Sequence, residues 1–108
     1  MSERKHRIMK SLPVELLARM AEVLRALAHP QRLRIVELLQ IEEEAPVHGI
    51  VVCLGLPQAA VSQHLNHMKR AGLLKSERRS KEVWYSIADP SLLTILDCIR
   101  KKQGVALG

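Results

Sequence analysis

Between Cys53 and Ile87 the chain carries a series of local signals whose order limits the possible folds more than any other feature. Gly55-Leu56-Pro57 makes a short turn. In the helix that follows, Val61, Leu65 and Met68 stand at i, i+4 and i+7, so all three share one face and must meet a core. The helix runs to Ala71, where Gly72 offers a left-handed stop. Leu73 to Arg78 and Glu82 to Ile87 then read as two short strands, with Trp84, Tyr85 and Ile87 favouring extended backbone. Arg79-Ser80-Lys81 forms the tip between them. A turn, a core-facing helix, a glycine stop and a hairpin predict a mainly α fold with a small two-stranded wing, a winged helix-turn-helix of about five helices.

The flanking segments fit that plan. Ser11 can cap a first helix with Pro13 in its first turn, and Leu16, Met20, Val23, Leu24 and Leu27 recur at helical spacing. Ala28-His29-Pro30 interrupts it, because a residue before proline leaves the helical region. Pro30 opens a second helix to about Gln40, carrying Leu33, Ile35, Val36, Leu38 and Leu39. Ile41 to Pro46 reads as an acidic loop holding Glu42-Glu43-Glu44. Val47 to Leu54 is predicted helical from context, ended by Gly55, although Gly49 and Ile50-Val51-Val52 are poor helix formers. Asp89-Pro90 starts a last helix with Leu92, Ile95, Leu96 and Ile99 on one stripe and Leu93 off it. These elements make one domain over residues 11–102, with a flexible basic arm at 1–10 and a tail at 103–108.

Charge points to the partner. The chain of 108 residues has a formal net charge of +6, which favours a polyanion. The excess is local: residues 57–81 carry Lys69, Arg70, Lys75, Arg78, Arg79 and Lys81 against Glu77 alone. Phe is absent, and Trp84 and Tyr85 are the only aromatics. That scarcity disfavours single-strand or RNA binding, where bases stack on aromatic platforms.

The predicted fourth helix turns Gln58, Ala59, Ser62, Gln63 and Asn66 outward or to its margin. Glutamine can pair with adenine in a bidentate manner, serine can bond a base or a phosphate, and a small alanine permits close approach. The helix N-terminus favours a phosphate. Lys69, Arg70, Arg78, Arg79 and Lys81 would position a duplex without reading its sequence. His64 and His67 lie three apart but find no third ligand nearby, so they read as surface or DNA-facing histidines.

These segments resemble the ArsR/SmtB-type winged helix-turn-helix repressors from Leu24 to about Ile99. The resemblance is carried by Leu24-Arg25-Ala26-Leu27-Ala28-His29-Pro30-Gln31-Arg32-Leu33-Arg34-Ile35, by Gly55 to Leu65, by Ala71-Gly72-Leu73-Leu74 and by Val83-Trp84-Tyr85-Ser86-Ile87. It implies a homodimer through the first and last helices, binding to an inverted-repeat operator, and release by an effector. It also implies DNA contacts at Gln58, Ala59, Ser62 and Gln63. The chain departs from the family's metal sites. Pro46-Val47-His48 stands where metal-sensing relatives carry Cys-Val-Cys. Asp89 matches a second site, but Ser91, Lys102 and Val105 take its remaining positions. No metal is therefore expected.

Cys53 and Cys98 are too few for a disulfide framework and fit a reducing cytoplasm. They read as small buried apolar residues, with a thiol switch or reactive-sulfur sensor as the alternative. No apolar run approaches the ~20 residues of a membrane span, and the basic N-terminus lacks the apolar segment of a secretory signal. A cytoplasmic location is expected. No nucleophile–base pair, phosphate loop or cofactor motif supports an enzyme. The expected function is double-stranded DNA binding by a dimeric regulator with an unidentified effector. A winged helix used for protein–protein contact is the competing reading.

Overall fold

The computed structural model describes residues 11–104. In chain order it contains α1 (Val14–Leu27), α2 (Pro30–Glu42), β1 (Glu44–Pro46), α3 (Val47–Leu54), α4 (Gln58–Arg70), β2 (Leu74–Arg79), β3 (Glu82–Ile87) and α5 (Ser91–Lys102). The basic arm expected at 1–10 and most of the expected tail lie outside the described residues.

Local chemistry explains most boundaries. α1 begins at Val14 with Pro13 in the N-cap position rather than within its first turn. At α2, His29 is extended and its Nδ1 accepts the Gln31 N–H at 3.1 Å, with Pro30 in the first turn. At α5, Asp89 Oδ1 accepts the backbone N–H of Ser91 at 3.0 Å and its hydroxyl at 2.6 Å, so the acid caps the helix as expected. α4 ends in a Schellman motif. Gly72 adopts φ 81°, its N–H donates to the Lys69 carbonyl, and the Leu73 N–H donates to that of Met68.

α3 forms despite its composition. Ile50 is fully buried, and packing of this kind overrides weak propensity. A Cβ at Gly49 would stand 3.4 Å from Pro46 Cδ, an ordinary contact, so the packing there does not demand glycine. The core is aliphatic: Ile35, Val36 and Leu39 of α2, Ile50 of α3, Val61, Leu65 and Met68 of α4, and Leu92 and Leu96 of α5 are all buried. The predicted inward face of the fourth helix is thus the observed one.

Three expectations need correction. The sheet has three strands, in the order β1-β3-β2, all antiparallel. Residues expected as an acidic loop supply both the end of α2, which runs to Glu42, and β1, in which Ala45 is buried opposite Tyr85. Pro46 tolerates this strand because it lies at the sheet edge, where no ladder donor is required. Arg79 belongs to β2, paired with Glu82, so the hairpin tip is Ser80-Lys81 with Ser80 at φ 58°. Finally, Leu24 does not join the buried stripe of α1. It is 52% exposed, alongside Leu12 at 61% and Leu17 at 49%, and Ile99 of α5 is 43% exposed.

Candidate nucleic-acid interface

The α3–turn–α4 unit and the hairpin frame one surface. Gly55, at φ 68°, ends α3, and its N–H donates to the Val51 carbonyl at 2.9 Å. The Pro57 carbonyl then accepts the N–H groups of Ala60 and Val61, both at 3.1 Å, which starts α4 at a fixed angle to α3. Burying Val61, Leu65 and Met68 leaves Gln58, Ala59, Gln63 and Asn66 exposed and Ser62 half-buried. All four residues expected to meet bases thus lie on the outer side or margin of one helix.

The hairpin stands beside that helix. A groove of about 360 Å³ runs between them, bordered by Gln58, Ser62 and Asn66 of α4 and by Lys81 and Val83 of the wing. The cations of α4 and the wing, of which Lys81 lines this groove beside Glu82, differ in commitment. Among the described residues, Arg70, Arg78 and Lys81 have no carboxylate within ion-pair distance, while Lys69 Nζ donates to the Ser76 hydroxyl at 2.7 Å. Arg79 is engaged on three sides. Its Nη1 and Nη2 donate to the two carboxylate oxygens of Glu44 at 2.6 and 2.8 Å, its Nη2 also meets Glu77 at 2.8 Å, and its guanidinium lies 5.0 Å from the Trp84 ring centre. The Arg79 hydrogen bond holds the Glu44 carboxyl below its ordinary range, and Glu44 and Glu77 together raise the Arg79 pKa. Arg79 thereby ties the wing to β1, a link formed by residues 35 apart in sequence.

The histidines divide. His67 is exposed, but His64 is half-buried: its Nδ1 accepts from Arg32 Nε at 3.1 Å, and its ring meets His29 edge-on at 4.5 Å. Desolvation first, and the charges of His29, Arg32 and His67 after it, lower the His64 pKa and favour the neutral ring that can accept this bond. Arg32 was not among the residues singled out from sequence; its link to His64 spans 32 positions. No three His, Cys, Asp or Glu side chains converge among the described residues. Of the positions aligned with family metal sites, Asp89 caps α5 and His48 lies 3.4 Å from Glu82.

Both cysteines are exposed and unpaired, which corrects the expectation that they are buried. Cys53 follows the buried Ile50 by three residues along α3 but is itself exposed, and lines a recess with Leu38, Pro46, Val52 and Trp84. Among the described residues no helix is long and apolar enough to cross a membrane.

An outward polar helix held by a tight turn and flanked by a cationic hairpin defines a winged helix-turn-helix protein. Residues 29–76 match the family model described as bacterial regulatory protein, arsR family. The chain is 45% identical over 84 residues to the HTH-type transcriptional repressor SmtB of Mycobacterium tuberculosis, covering 78% of this chain and 62% of that protein. It is 41% identical over 83 residues to the transcriptional repressor PagR of Bacillus anthracis, covering 77% of this chain and 83% of the relative. The PagR crystal structure superposes with a TM-score of 0.74 at 38% identity, over 81% of this chain and 99% of that one. A possible ArsR-family regulator of Mycobacterium bovis, described as a homodimeric winged helix-turn-helix DNA-binding domain, gives 0.73 at 27% identity, over 84% of this chain and 83% of that one. The chain belongs to the arsR family of bacterial regulatory proteins, a family of DNA-binding regulators and not of enzymes.

Proposed function

We propose that this protein is a dimeric, cytoplasmic, sequence-specific repressor that leaves an inverted-repeat operator when an as yet unidentified signal arrives. The observation that carries this reading is the outward face of α4, whose short polar side chains border the same groove as the wing cation Lys81. Gln58, Ala59, Ser62 and Gln63 read base edges. Lys69, Arg70, Arg78 and Lys81 hold phosphates, and Arg79 serves mainly by bracing the wing through Glu44.

The dimer forms through α1 and α5. Leu17 and Leu24 on the first, Leu12 just before it and Ile99 on the second are apolar and uncovered in the single chain, and burying such a face is what an obligate interface does. The relative described as homodimeric supports a dimer. Two-fold symmetry in the protein then calls for two-fold symmetry in the DNA.

A second reading, that the signal is an oxidant or reactive sulfur species acting at Cys53 and Cys98, draws support from the exposure of both thiols. One titration tests both readings. DNA from upstream of this protein's own gene is followed by fluorescence anisotropy with metal-free protein, reduced or mildly oxidised. Tight binding that exceeds binding to scrambled DNA is expected in the reduced state. Loss on oxidation identifies the thiols as the sensor, and equal binding in both states rejects them. Binding no better than to scrambled DNA counts against autoregulation.

A further inference from the structure

On the flank of α4 away from the wing lies a second recess, of about 320 Å³, lined by Arg32 of α2 and by Gln63, Asn66, His67 and Arg70 of α4. Every lining side chain can donate a hydrogen bond, and none is acidic. Arg32 is held in place: Nε donates to His64 Nδ1 and Nη1 to the Ala26 carbonyl, both at 3.1 Å. Its Nη2 has no hydrogen-bond partner among the described residues, and neither Arg32 nor Arg70 has a carboxylate within ion-pair distance there. An arginine already fixed by two bonds loses little freedom when it binds an anion, and its planar fork suits a phosphate.

Position selects the source of that phosphate. Asn66 borders both this recess and the wing groove, so the two lie on adjoining flanks of one helix, one on either side of Asn66. A helix seated in a major groove has a sugar–phosphate strand on each side. We infer that the Arg32–Gln63–Asn66–His67–Arg70 recess seats a backbone phosphate of the DNA strand that passes the flank of α4 away from the wing, with Arg32 as a contact residue beyond the expected set and His67 given a definite partner. The inference rests on the DNA-binding reading above.

The test is a salt series of anisotropy titrations on a random-sequence duplex, where base reading plays no part. Arg32→Gln and Arg70→Gln should each lower the slope of log affinity against log salt by about 0.9. Arg34→Gln, whose arginine pairs with Glu37 outside the recess, should leave it unchanged. Because Arg32 also holds Ala26 and His64, a methylphosphonate scan of a duplex carrying the operator, where the register is fixed, adds a readout that does not rest on changing Arg32: neutralising the seated phosphate should weaken wild type more than it weakens Arg70→Gln. Wild type that binds no duplex in a salt-dependent way defeats the DNA-binding reading itself. Wild type that binds steeply, with unchanged slopes in both variants and no phosphate showing this dependence on Arg70, overturns the seat alone. Saturable binding of inorganic phosphate at His67, read by NMR, together with unchanged DNA slopes makes the recess a free-anion site and overturns it as well.

Discussion

The outer faces of α4 and α1 are both uncovered in the single chain, yet they are built from opposite materials. α4 presents Gln58, Ala59, Gln63 and Asn66 beside unpaired cations, whereas α1 presents Leu17 and Leu24 about half exposed. A polar, cationic surface is stable in water and waits for a polyanion. An apolar one of this extent is a liability unless it is covered. In this reading the first face is where the protein acts, and the second is where it is completed by another copy of itself.

The sharpest way to break the comparison is to make the two faces alike. Leu17→Lys combined with Leu24→Lys should convert a dimer to a monomer in sedimentation, since each lysine would have to be buried in an apolar interface as an unpaired charge. Affinity for an inverted repeat should fall by about 100-fold or more, because the two half-sites would no longer be bound together. A dimer that persists would remove α1 from the interface. On the other face, Gln58→Ala should cost about 1–3 kcal/mol on the operator and relax preference at one base position. An equal loss on random DNA would rule out base reading by Gln58. Lys81→Gln should act more weakly and without sequence preference, lowering the salt slope by about 0.9.

The smallest effect tests the brace between the wing and β1, which supports the first face from behind the groove. Because Arg79 depresses the Glu44 pKa, the stability this contact adds is fully present above the ordinary carboxylate value of 4.5 and fades as pH falls through the lower folded-state value. Glu44→Gln should therefore melt below wild type at pH 7, and the gap should close in acid. A gap that is constant from pH 7 to pH 3 would show that Glu44 acts through packing and not through charge.

What the sequence made legible was mostly local. Gly55 and Gly72 mark the ends of α3 and α4, and the spacing of Val61, Leu65 and Met68 sets the outward face of α4. What it hid depends on distant pairing. Glu44-Ala45-Pro46 is a strand only because β3 lies beside it, and no periodicity in three residues can announce that. The Arg79–Glu44 and Arg32–His64 contacts likewise join residues more than 30 positions apart. The cysteines misled for a related reason: Cys53 lies between Val52 and Leu54 and Cys98 beside Ile99, but in a helix adjacent residues point in different directions, and Val52 and Ile99 are themselves exposed.

The short strand β1 has a mechanical consequence. In chain order it is the connection between α2 and α3, yet its three residues are paired to β3 and its Glu44 grips Arg79 at the far end of the hairpin. The connection and the wing therefore form one lever whose short arm is the α2–α3 corner. The recess that Cys53 and Trp84 share is lined by Glu44, Ala45 and Pro46 of β1, so whatever fills it presses on the same three-stranded sheet that carries the wing.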